Sequence, residues 1–79
     1  MSILPSISAR ELIGVLHKAG LVIIRQSGSH VRLQHPGDHT RQTTVPLHNR
    51  DIPRWLVREI LREADISVSD FLKLLKESD

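Results

Sequence analysis

The sequence predicts an α+β domain in which helices cover one face of a three-stranded antiparallel sheet. Three observations indicate this class: a helical apolar stripe comes first, three short strand-like segments follow it, and two further helical stripes complete the chain. Tight turns join the strand-like segments, which makes neighbouring strands antiparallel. A length of 79 residues is enough for a single domain, which we place at residues 1–79.

The first helix is predicted over residues 9–19. Ser8 and Glu11 have the spacing of a capping box, in which the two residues cap each other's backbone. Gly20 stands where a helix ends in a left-handed turn. The apolar stripe between these two signals consists of Leu12, Leu16 and Ala19.

Three strands are predicted over residues 21–26, 30–35 and 41–47. The first is rich in β-branched residues, and the turn Ser27-Gly28-Ser29 separates it from the second. The turn Pro36-Gly37-Asp38 separates the second strand from the third.

Alternation along the second strand assigns its two faces. Val31 and Leu33 are predicted to point towards the helices together with Val45, whereas His30 and Arg32 are predicted to point towards water.

The second long helix is predicted to begin near Pro53, because proline is favoured in the first turn of a helix. Ser67 and Asp70 have the spacing that opens a short extra C-terminal helix. The buried stripe of the second helix comprises Leu56, Ile60 and Ala64. The predicted order is therefore α-β-β-β-α followed by the short extra helix.

The composition excludes several classes of protein. The chain has no cysteine, which rules out disulfide scaffolds, cysteine-bound zinc and thiol nucleophiles. Small secreted domains tend to be rich in disulfides, so we expect a cytoplasmic protein. No apolar run approaches the roughly 20 residues of a membrane span, and no signal peptide is recognisable.

Charge is distributed unevenly along the chain. Residues 1–50 carry six Lys and Arg against two acids, whereas residues 51–79 carry five against seven. The first half therefore has a net charge of +4 and is the half that would attract phosphate groups.

His30 is the strongest candidate for a chemical role. It follows the Gly28-Ser29 turn directly and shares the polar face of its strand with Arg32. Histidine titrates near neutral pH, which suits proton transfer. With only Glu11 and Asp38 as acids in the first half, a metal site built from carboxylates is not expected there.

Other candidates are weaker. A metal site formed by His35, His39 and His48 matches no regular motif, so we predict no metal ligands. Trp55 can either stack on a base or pack at the edge of the core, and the second is the commoner role at a helix start. A DNA-binding alternative places Arg54, Arg58 and Arg62 on a recognition helix, although Glu59 and Glu63 dilute their charge.

Four features together resemble the HicA (YcfA-like) mRNA-interferase toxins over nearly the whole chain. They are Gly20, the segment Arg25-Gln26-Ser27-Gly28-Ser29-His30, the segment Val45-Pro46-Leu47-His48, and the helix after Pro53. Leu21 departs from the family, whose members often have an aromatic residue there.

The resemblance implies a fold like that of double-stranded-RNA-binding domains, a toxin that cleaves mRNA, and a HicB-type antitoxin that covers the active face. It also maps the catalytic histidine onto His30, presented by Gly28 and Ser29. We expect a neutral His30 to activate the 2′-OH of RNA without a metal or other cofactor. Lys18, Arg25 or Arg32 would stabilise the developing charge. The general acid is water or a second residue such as His48. The alternative is a non-catalytic module that binds RNA.

Overall fold

The computed structural model describes residues 4–77 and confirms the predicted order of elements. The helices and strands are α1 (Ala9–Lys18), β1 (Val22–Ser27), β2 (His30–His35), β3 (Asp38–Pro46), α2 (Arg54–Ala64) and α3 (Val68–Lys76). The three strands form one antiparallel sheet in the order β1-β2-β3, which confirms the α+β class.

Helix α1 begins with the predicted capping box. The Glu11 amide donates to the Ser8 hydroxyl oxygen and the Ser8 amide donates to the Glu11 carboxylate, each at 3.1 Å. The backbone and side-chain hydrogen bonds with Ser8 lower the pKa of Glu11. The helix ends one residue before the predicted limit, and Gly20 takes the left-handed conformation with φ +100°.

Strand β2 has the predicted bounds, and β1 lies one residue later than predicted. Gly28 adopts φ +57° in the turn between them, as its position required. Strand β3 begins at Asp38, three residues earlier than predicted, so the assignment of Asp38 to the turn was wrong. Asp38 pairs with His35 and accepts from the hydroxyl (2.6 Å) and amide (3.1 Å) of Thr40, and these bonds lower the pKa of Asp38.

The hydrophobic core lies between one face of the sheet and the helices. Val31, Leu33 and Val45 are buried, as the alternation predicted. Thr43, also buried on this face, donates its hydroxyl to Glu63 at 2.7 Å. The helices contribute buried Leu12, Val15, Leu16, Val57, Ile60, Leu61, Ala64 and Phe71.

The two C-terminal helices meet at a left-handed residue. Helix α2 ends at Ala64, and the C-cap residue Asp65 has φ +58°, a conformation that aspartate tolerates better than most residues. Ser67 then caps α3 by accepting from the Asp70 amide at 3.0 Å, which confirms the predicted start signal. Phe71 of α3 is fully buried.

Within residues 4–77, no helix has the length and apolar character that crossing a bilayer requires.

Candidate active site on the open face of the sheet

The candidate site lies on the side of the sheet that faces away from the helices, which we call the open face. Because Val31 and Leu33 of β2 are buried against the helices, His30 and Arg32 of that strand project from the open face. Directly paired residues of antiparallel strands share a face, so Arg25, which pairs with Arg32, projects from it as well.

The turn and the strand register together expose His30. It is the first residue of β2, with Ser27 opposite it on β1 and Pro46 opposite it on β3. Within the described chain no hydrogen bond or ion pair occupies its imidazole, and the residue is exposed. Both ring nitrogens are therefore accessible to a ligand that approaches the open face.

Arg32 is held against the sheet by two neutral partners. One guanidinium nitrogen donates to the Thr44 hydroxyl at 3.2 Å, and the other donates to the Gln42 side-chain oxygen at 2.6 Å. Neither partner carries a negative charge, so these bonds orient Arg32 without forming an ion pair. Because it comes two residues after His30, it lies about 6.6 Å further along the same face.

Arg25 and Arg32 form a pair of like charges across neighbouring strands. Such a pair is destabilising when its residues lie directly opposite each other. No acid compensates it through the strand pairing, since the residues opposite His30, Arg25 and Arg32 are neutral or basic. A bound anion would relieve this repulsion, which makes the open face suitable for a phosphodiester.

His48 reaches the same end of the sheet as His30. The Leu47 amide donates to the Ser29 carbonyl at 2.6 Å, which holds the chain after β3 against the Gly28-Ser29 turn. His48 is the next residue and is exposed. The structure thus brings together six of the predicted site residues, namely Arg25, Gly28, Ser29, His30, Arg32 and His48.

Lys18 lies apart from this group. Its ammonium donates to the Glu77 carbonyl at 2.7 Å, beside the end of α3. Gly20, two residues later, lies so close to His35 that a Cβ on it would be 3.1 Å from the imidazole Nε2. His35 and His30 are the opposite ends of β2, roughly 16 Å apart along a strand. Lys18 therefore lies towards the end of the sheet remote from His30, and it is left out of the proposed site.

The remaining histidines show no grouping suited to a metal ion. His35 is half-buried and accepts from the Gly37 amide at 3.0 Å, whereas His39 is exposed. No three His, Asp or Glu side chains among residues 4–77 are placed to hold a metal ion. That the proposed reaction needs no metal ion remains a prediction.

Trp55 does not pack at the edge of the core as expected, because 69% of its surface is exposed. The helical periodicity of α2 already indicated that Trp55 is exposed. Val57 and Ile60 face the core, so Trp55 shares the outer face of α2 with Arg58 and Arg62.

The two residues that orient Arg32 could not be identified from the sequence. Gln42 and Thr44 are unremarkable in the sequence, and their role depends on the register between β2 and β3. The Pro36-Gly37 turn was the one signal that could have indicated that register.

Comparison with known proteins identifies a family whose members resemble this chain in sequence. Residues 9–66 match the model of a family described as the HicA toxin of bacterial toxin–antitoxin systems. The matched residues include α1, the whole sheet and α2, and they exclude α3. No curated protein matches the chain at a significant level.

Proposed function

Because the chain belongs to the HicA toxin family of bacterial toxin–antitoxin systems, we propose that it is an endoribonuclease that cleaves mRNA on the open face. One observation carries the proposal. The exposed imidazole of His30 has no partner among the described residues and shares its face with Arg25 and Arg32, whose charges no paired acid neutralises.

His30 acts as the general base. Its neutral imidazole takes the proton from a ribose 2′-OH, and the resulting oxygen attacks the adjacent phosphorus. The bond from phosphorus to the 5′ oxygen breaks, which leaves a 2′,3′-cyclic phosphate and, once that oxygen is protonated, a 5′-OH. Arg25 and Arg32 stabilise the extra negative charge that develops on the phosphoryl oxygens. The reaction uses the nucleophile that RNA itself supplies, and no cofactor is part of the proposal.

The Gly28-Ser29 turn and His48 contact the substrate beside the cleaved linkage. The turn presents His30, and the backbone bond from Leu47 to Ser29 brings the exposed residue His48 to the same end of the sheet. The proton for the leaving oxygen comes from water or from His48.

Family membership implies an antitoxin partner. We propose that this partner is a HicB-type protein that covers the open face and places acidic groups against Arg25 and Arg32, and that the pair acts in the cytoplasm. Such a partner would silence the toxin by occupying the cationic surface that otherwise binds the phosphodiester.

The proposal predicts which nucleic acids are cut. A single-stranded RNA should be cleaved in the presence of EDTA, and its fragments should end in a 2′,3′-cyclic phosphate and a 5′-OH. The all-deoxy and 2′-O-methyl versions of the same oligonucleotide should stay intact because neither has a 2′-OH that can be deprotonated to give the nucleophile. Mass spectrometry of the products checks both statements. Cleavage of the deoxy strand, or loss of cleavage in EDTA, contradicts the mechanism. RNA binding without any cleavage supports the non-catalytic alternative.

The like-charge pair predicts opposite effects on activity and stability. Arg25→Gln should lower RNA cleavage by up to about 10²-fold, since one of two charge-stabilising groups is lost. The same change should raise the thermal midpoint of the free protein, and added salt should shrink this gain because salt screens the repulsion with Arg32. Arg10→Gln, which removes an equal charge from the exposed side of α1, should leave cleavage unchanged. A stability loss in Arg25→Gln contradicts the proposed repulsion.

A further inference from the structure

The start of α2 lies at the same end of the molecule as His30. The end of α2 lies beside the first half of β3, since Arg41 donates to the Ala64 carbonyl at 2.9 Å and Thr43 donates to Glu63 at 2.7 Å. Helix and strand therefore run in opposite directions, and the first turn of α2 lies towards Pro46, the partner of His30.

An exposed aromatic side chain occupies this first turn. Trp55 exposes 69% of its surface, more than any other large apolar side chain among residues 4–77. Burial of such a side chain is favourable, so its exposure carries a cost that a bound partner would remove. An indole offers a flat face on which any nucleobase can stack.

The charge around Trp55 favours a nucleic acid. Residues 47–59 contain three arginines and two acids, Asp51 and Glu59, and the carboxylate of Glu59 is already paired with Arg62. Arg54 is engaged by the Leu4 carbonyl at 2.6 Å, whereas Arg50 and Arg58 are exposed and have no bonded partner within the described chain. Arg58 follows Trp55 by three residues and so lies beside it on the helix surface.

We propose that Trp55 stacks on a nucleobase of the bound RNA, outside the cleaved linkage, with Arg58 on the adjoining phosphate. The RNA path then continues from the open face, past the Gly28-Ser29 turn, to the first turn of α2. This inference rests on the proposed ribonuclease function. It assigns to Trp55 a contribution to substrate binding and not to the chemical step.

Trp55 is the one tryptophan of the chain, which has no tyrosine. The intrinsic fluorescence of the protein therefore reports on Trp55 alone. The probe is a dye-labelled, mixed-sequence, single-stranded 2′-O-methyl RNA, whose binding is followed independently by anisotropy. We expect Trp55 emission to be quenched with the same midpoint as the anisotropy change. Trp55→Leu should weaken binding roughly 5- to 150-fold, whereas Trp55→Phe, which keeps an aromatic face, should stay much closer to the unmodified protein.

The arginines provide a matched pair of variants. Arg58→Gln should weaken RNA binding and reduce its dependence on salt. Arg62→Gln, one turn further along and ion-paired with Glu59, should change neither. In Trp55→Leu the defect in cleavage should appear mainly as a higher KM for RNA, since the change weakens binding.

The outcomes separate this inference from the proposed function. Unaltered emission on RNA binding, with equal affinity for Trp55→Leu, overturns the stacking proposal while cleavage by His30 stands. Emission that responds to the antitoxin and not to RNA also overturns it, and assigns Trp55 to the protein interface. Failure of every variant and of the unmodified chain to bind or cleave RNA overturns the proposed function itself.

Discussion

Replacing His30 by alanine is expected to reduce RNA cleavage by about 10²- to 10⁴-fold, the usual contribution of a general base. The fold should persist because His30 is exposed and its side chain bonds to nothing in the described chain. Induced expression of the variant without antitoxin should therefore no longer arrest growth. Single-turnover cleavage of RNA by the purified proteins measures the size of the loss.

His39→Ala is the matched control for this variant. His39 is also an exposed histidine of the sheet, but it lies on β3 near the Pro36-Gly37 turn, at the end remote from His30. Its removal should leave cleavage unchanged. Equal loss in both variants, or full activity of His30→Ala, would remove His30 from the chemical step. Both variants should retain RNA binding, since the arginines of the open face remain.

A substrate with sulfur in place of the 5′ bridging oxygen tests whether His30 is the base. A thiolate leaves without being protonated, so this substitution rescues a variant that lacks the general acid and does not rescue one that lacks the base. We expect His30→Ala to stay defective on this substrate. Under the alternative that His48 supplies the proton, His48→Ala is defective on RNA and restored by the sulfur. If water supplies it, His48→Ala shows no such rescue.

The order of elements was predictable because each boundary has a local cause. The Ser8 capping box, the left-handed glycines at positions 20 and 28, and the Ser67 cap all act over a few residues, and the structure contains each of them. The start of β3 was not predictable in the same way. Residues 38–40 are all polar, and they become a strand through their pairing with β2 and the bonds between Asp38 and Thr40.

The candidate site was predictable where it depends on one strand and not where it depends on several. Alternation within β2 sufficed to expose His30 beside Arg32. The position of Arg25 opposite Arg32, and the hydrogen bond that Arg32 donates to Thr44, depend on the register of all three strands. That register includes an irregularity between Ile23 and Arg25. The position of Lys18 depended on where the end of α1 meets the sheet, and no local signal in the sequence reports that.

Replacing Phe71 by alanine is expected to have the largest effect on stability, a loss of about 3–5 kcal/mol in the free energy of unfolding. Phe71 belongs to α3, outside the residues that match the family, yet it is fully buried in the core shared by the helices. A domain of this length has a total stability of roughly 4–12 kcal/mol, so the variant should be partly unfolded at the growth temperature. Urea denaturation followed by circular dichroism measures the change, and Lys76→Ala, an exposed change in the same helix, should leave the midpoint nearly unaltered.

Phe71→Ala and His30→Ala should both lose toxicity, but for different reasons. The first variant should lose folded protein, and the second should lose the chemical step. Phe71→Ala should lose toxicity through a smaller folded population, and cooling or a stabilising osmolyte should restore cleavage because its open face is intact. His30→Ala should stay inactive under every condition that keeps it folded. An unaltered urea midpoint in Phe71→Ala would show that the Phe71 side chain contributes little to the stability of the core.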